Sequence, residues 1–196
     1  MSQFNSLIDR IFGAIFARPT LPKGEANPAT PAGISPATPQ DIPNLEQALS
    51  PHFSLAELSA SNMGTRHGLD NTPGSAEIAN LKRLSATLEQ VRAQLYNAPL
   101  QISSGYRSPR VNALVGGAAN SAHLQGLAAD FIAPGYGRPR AIAKAIAASG
   151  IAFEQLIFEG TWVHLAIAAP GRVSRGEVLT ATFSNGKAIY RKGITA

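Results

Sequence analysis

The spacing of apolar positions changes along this chain, and each change marks a different element. Phe4, Leu7, Ile8, Ile11, Phe12, Ile15 and Phe16 recur at intervals of three and four, while Ser6, Asp9 and Arg10 lie off that face. This pattern predicts an amphipathic helix over residues 1–18. Such a helix docks on the protein's own core, on a second copy, on a membrane surface or on another protein. It does not read as a signal peptide, because Asp9-Arg10 interrupts the apolar stretch and no basic segment precedes it. The pattern then vanishes. Pro19, Pro22, Pro28, Pro31, Pro36, Pro39 and Pro43 alternate with Ala, Thr and Gly, which predicts an extended, semi-rigid linker over residues 19–50.

From residue 51 the periodicity returns, and residues 51–196 are expected to form one domain. Ser54 and Glu57 have the spacing of a capping box ahead of a short helix. Ile78, Leu81, Leu84, Leu88, Val91 and Leu95 predict a long amphipathic helix, with Pro99 beyond its end. Residues 100–103 read as a short strand, and 138–149 as an alanine-rich helix ending at Gly150. Strand-like runs follow at 153–158, 162–168, 177–183 and 188–190, with Asn185-Gly186 as a hairpin turn between the last two. Helices come first and strands mostly last, so the expected fold is α+β, with an antiparallel sheet flanked by helices.

Composition narrows the chemistry. The chain has no cysteine, which excludes disulfides, thiolate metal sites and cysteine nucleophiles. A metal would need His, Asp or Glu ligands. The net charge of +5 favours an anionic partner such as nucleic acid, anionic lipid or an acidic wall polymer, without choosing among them. No apolar run approaches the roughly 20 residues that a membrane span requires.

His123 and Asp130 stand out in SAHLQGLAADF, residues 121–131. Their separation does not suit one helix face. It suits a loop entering a strand, with Gly126 permitting a tight bend and Asp130 at the strand start. A catalytic zinc site takes three protein ligands and leaves a place for water. His164 is the best third ligand, because alternation in residues 162–167 puts Trp162, His164 and Ala166 on one face and Val163, Leu165 and Ile167 on the other. His52 and His67 read as surface histidines. Glu159 lies just before Gly160-Thr161, where a tight connection would bring it near His164 as a general base, with Glu154 a second choice. Arg107 and Arg110, in a loop after a strand, could bind a carboxylate or steady an oxyanion. Each piece alone also fits a purely structural role.

Together these residues carry a resemblance. Ser121-Ala-His123-Leu-Gln-Gly126-Leu-Ala128-Ala-Asp130 resembles the Ser-x-His-x-x-Gly-x-Ala-x-Asp signature of the zinc D-alanyl-D-alanine carboxypeptidase and L-alanyl-D-glutamate endopeptidase family, whose fold is shared with the hedgehog signalling domain. Trp162-Val163-His164 is similar to its second signature, and SGYRSPRVN to the run carrying a substrate-binding arginine. The segments FSLAELSAS, NTP and EVLTA…NGKAIY resemble its phage and prophage branch. The resemblance implies one Zn2+ per chain, held by His123, Asp130 and His164. It implies that Arg107 and Ser121 contact substrate. Many members place the catalytic acid three residues before the last histidine, where this chain has Thr161. Others place a glutamate five or six residues before it, and Glu159 fits that pattern as the base. The implied function is hydrolysis of an amide bond in peptidoglycan stem peptides by a phage endolysin or virion-associated wall hydrolase. The enzyme would act in the periplasm, reached from the host cytoplasm during lysis or carried in the virion. No nucleic acid is expected. The competing reading is a zinc-binding but non-catalytic module, or a virion structural component.

Overall fold

The computed structural model describes residues 44–184 and 187–195, which fall within one compact unit, Pro43–Ala196. The helix expected at 1–18, residues 19–43 of the expected linker and the Asn185-Gly186 turn lie outside the described residues. Residues 44–50 take part in the fold. β1 (Ala48–Ser50) pairs antiparallel with β2 (Phe53–Ser54), and Leu49 is buried in the core. α1 (Leu55–Ser59) starts where the Ser54 hydroxyl accepts from Glu57 N at 3.1 Å, the first half of the expected capping box. α2 (Asn62–Arg66) is capped in the same way by Ser61.

α3 (Ser75–Gln94) is the long helix that the periodicity predicts, and its Leu81, Leu84, Leu88 and Val91 are fully buried. β3 (Gln101–Ser104), α4 (Pro109–Leu114), a 3-10 turn (Ala122–Gln125) and β4 (Ala128–Ile132) follow. α5 (Pro139–Ala147) begins on a proline, whose missing N–H has no helical partner to lose at that position. β5 (Gln155–Phe158), β6 (Val163–Ala166), β7 (Glu177–Ser184) and β8 (Lys187–Lys192) complete the domain. No helix among the described residues is long and apolar enough to cross a membrane.

The last six strands form one sheet in the order β3-β4-β6-β5-β7-β8. The fold is α+β, as expected, and every neighbouring pair in this sheet is antiparallel except β5–β7. The exception has a simple cause. β6 folds back along β5, and the chain then crosses to the other side of β5, so β7 returns in the direction of β5.

Alternation divides the sheet into two faces. Ala129 and Phe131 of β4, Leu156 of β5, and Val163 and Leu165 of β6 are fully buried and cluster with α3 leucines and with Ile142 and Ile146 of α5. Each such leucine, isoleucine or phenylalanine contributes about 1.5–3 kcal/mol of burial. The opposite face carries one row across the sheet, in which Ser104, Asp130, His164, Ile157, Leu179 and Lys192 stand side by side. Asp130 sits in the middle of β4 rather than at its start, because the strand begins two residues earlier at Ala128.

Candidate metal centre

Two of the three predicted ligands are fixed by strand pairing. Asp130 and His164 are direct partners across β4 and β6, so their side chains emerge together on the face away from the core. His123 arrives from the 3-10 turn. That turn ends at Gly126, whose φ of 66° places it in the left-handed region, and an added Cβ would lie 2.8 Å from Glu77 O. Only glycine combines that conformation with that approach to α3. Ser121 caps the turn through its hydroxyl, which accepts from His123 N at 3.4 Å.

The three residues converge. His164 Nδ1 lies 2.8 Å from Asp130 Oδ1 and 3.2 Å from His123 Nε2, and His123 Nε2 lies 3.3 Å from Asp130 Oδ1. One ligand atom from each falls within 4.8 Å of the others, and all three residues are buried. His123 Nδ1 lies 2.6 Å from Gly105 O. A carbonyl only accepts, so Nδ1 carries the proton and the neutral ring turns the Nε2 lone pair inward. Burial favours that neutral ring and lowers the His123 pKa against the pull of Asp130. Burial also works to raise Asp130, but its interactions with His123, followed by those with His164, hold it well below the usual carboxylate range. Two acceptors, His123 Nε2 and Asp130 Oδ1, therefore face each other in a buried space. His164 Nδ1 can donate to only one of them, whereas a cation between them would satisfy both.

A zinc ion satisfies this arrangement. Tetrahedral ligands at about 2.0–2.1 Å stand about 3.3 Å apart, close to the separations of 2.8, 3.2 and 3.3 Å here. The set of two imidazoles and one carboxylate suits zinc, and a carbonyl behind His123 is the usual way to orient such a ligand. Asp130 is oriented as well: Arg107 Nη2 donates to Oδ2 at 2.5 Å, and Arg107 Nε donates to Ser104 Oγ at 2.7 Å.

Glu159 follows β5 and is half-buried. Its N–H donates to Trp162 O at 3.1 Å and its carbonyl accepts from Thr161 N at 2.9 Å, which closes the tight connection expected from Gly160-Thr161. Its carboxyl is pushed up to about 7, first by burial and then by the Asp130 charge, while His164 and Arg107 oppose the shift. Ile157 pairs with His164, so Glu159, two residues on, falls on the triad's face of the sheet. The buried Trp162 Nε1–H closes no hydrogen bond of normal length, yet it lies near enough to the carboxyl to oppose the shift weakly.

The other sequence candidates lie elsewhere. Glu154 pairs with Arg175 and accepts from Arg175 N. Arg110 is exposed on α4. His52 pairs with Glu89 at 2.9 Å on the surface, and His67 is exposed at the end of α2. Thr161 is exposed. Sequence reasoning missed Gly105 and Ser104. Gly105 is the closest-packed glycine in this region: a Cβ there would lie 2.1 Å from Leu58 O. The glycine lets the chain press against α1 and bring its carbonyl to His123. Its place immediately after the predicted strand was the available signal.

The residues that build this centre fall within residues 51–166, which match the family described as Peptidase M15. The chain belongs to the M15 peptidase family. Members are zinc-dependent peptidases, and the His123–Asp130–His164 triad could bind such an ion. No curated protein compared with the chain matches it. The fold agrees with an M15 peptidase, and the M15 match stops at the end of β6, before β7 and β8.

Proposed function

We propose that this M15 peptidase hydrolyses an amide bond in peptidoglycan stem peptides with one zinc ion held by His123, Asp130 and His164. The observation that carries the reading is the buried N,N,O triad of His123, Asp130 and His164 inside the M15 match, with Glu159 on the same face of the sheet. Zinc, when bound, acidifies a water and polarises a carbonyl. Glu159 exchanges a proton near neutrality, so it takes one from the attacking water and delivers it to the leaving amine. Arg107 keeps the Asp130 carboxylate aimed at the triad. Its Nη1 makes no hydrogen bond among the described residues and is available to a substrate carboxylate or oxyanion. Ser121 contributes through the turn that carries His123, where its hydroxyl accepts from His123 N, and we assign that hydroxyl to the substrate as well. The net charge of +5 suits an acidic wall polymer.

The setting we propose is host lysis by a phage endolysin or wall entry by a virion-borne hydrolase. Residues 1–18 would hold the enzyme at a membrane surface or protein partner. The test is digestion of purified peptidoglycan with and without a chelator, read by mass spectrometry. Chelator-sensitive release of peptides supports the reading, and fragment masses distinguish carboxypeptidase from endopeptidase cleavage. One zinc per chain without any cleavage product would replace it with a non-catalytic binding module.

A further inference from the structure

The β7–β8 hairpin lies beyond the residues matched by the family, yet it shares a sheet with the metal triad. Register assigns its faces. Leu179 stands in the same row as His164, so Ala181 and Phe183, two and four residues on, occupy the triad's face. Tyr190 is opposite Ala181 and Ala188 is opposite Phe183, which places them there too. Ile189 and Arg191, opposite Thr182 and Thr180, belong to the other face.

Phe183 and Tyr190 are 49% and 54% exposed on the triad's face of the sheet, two and three strands out from His164. Phe183 leans on Trp162, with ring centroids 6.5 Å apart. Burial, then the Glu159 charge, raises the Tyr190 pKa. Ala181, directly across from Tyr190, is small and buried, so the aromatic rings rise from a low floor. Lys192 is exposed at the far end of the His164 row, three strand spacings away or about 14 Å.

We infer that this hairpin gauges substrate length: Phe183 and Tyr190, with Trp162, hold an extended peptide beyond the scissile bond, and Lys192 meets one of its free carboxylates. The inference rests on the proposed reading as a stem-peptide hydrolase and deepens it. An extended chain covers about 3.3–3.6 Å per residue, so reaching from the triad to Lys192 takes about four residues. A free dipeptide covers about half that distance and gains nothing from the hairpin. The substrate class is therefore a peptide of about four residues with free carboxylates, such as an intact stem.

The test compares two probes, a free dipeptide (L-alanyl-D-glutamate or D-alanyl-D-alanine) and a soluble disaccharide tetrapeptide. Binding to the zinc-loaded full chain is measured by calorimetry and by fluorescence of Trp162, the only tryptophan. Phe183→Ala and Tyr190→Ala should each weaken tetrapeptide binding about tenfold and leave dipeptide binding unchanged. Ile189→Ala, on the opposite face, should change neither, and thermal unfolding checks that each variant is folded. Equal binding of both probes by the parent protein, or an Ile189→Ala loss matching that of Tyr190→Ala, would overturn the inference. Hairpin-dependent binding without cleavage upholds it while the hydrolase reading fails. Cleavage of both probes that is indifferent to the hairpin does the reverse.

Discussion

Glu159→Gln separates the electrostatic cost of the proposed catalytic carboxyl from its chemistry. Burial and the Asp130 charge raise this group from 4.5 to about 7. Because the folded-state value lies above the unfolded one, the folded protein holds the extra proton. Its contribution to stability is fully present below pH 4.5 and is lost as pH rises through about 7. At about 1.4 kcal/mol per unit, ionisation at pH 8 disfavours the folded state by about 3 kcal/mol. The side chain keeps some contact with water, which reduces this to about 2 kcal/mol. Glutamine imitates the protonated acid. In chelator, Glu159→Gln should therefore unfold with the parent at pH 4 and about 5 °C above it at pH 8, followed by circular dichroism. The same variant should lose about 10²–10⁴-fold in peptide hydrolysis when zinc is restored. An offset equal at both pH values, or absent at pH 8, would refute the placement of a strained carboxyl beside the triad.

Other expectations follow from the same geometry. His123→Ala or His164→Ala should reduce bound zinc from one per chain to background by elemental analysis, and should abolish the rise in Tm that zinc gives the parent. Gly105→Ala forces a Cβ to within 2.1 Å of Leu58 O, so it should destabilise the domain by about 3 kcal/mol or more in urea and weaken zinc binding through the displaced carbonyl. Arg107→Ala should lower zinc affinity about 10–100-fold in a competition titration, because Asp130 loses the donor that orients it. The acid limb of kcat/KM should fall at or below pH 7, since Glu159 rises to about 7 without a cation and a bound cation favours its carboxylate.

Much of this domain was legible from spacing alone. Leucines at intervals of three and four mark α3, because one face of a helix must meet the core. Alternation in 162–167 placed His164 opposite Leu165 and Val163, and the structure buries the latter two against α3 and α5. Other features depend on partners far away in sequence. The parallel β5–β7 pair reflects where a connection crosses the sheet, which no local pattern records. Asp130 lies mid-strand because β6 pairs with β4 from Ala128 onward. Arg107 reads as a substrate residue in its loop, yet its guanidinium meets Asp130, 23 residues later.

The sequence by itself determined the residue types of the centre: two imidazoles, a carboxylate and a nearby glutamate, with no thiolate to compete. It determined the flanking glycines too, since their missing side chains are a local property. The tertiary structure decided which of these atoms meet. It turned the Nε2 of His123 inward through the Gly105 carbonyl. It raised Glu159 by enclosing it beside another charge. It extended the triad's face along a hairpin that shows no catalytic motif. Donor identity is written residue by residue, whereas tautomer, pKa and reach arise from groups that only folding brings together.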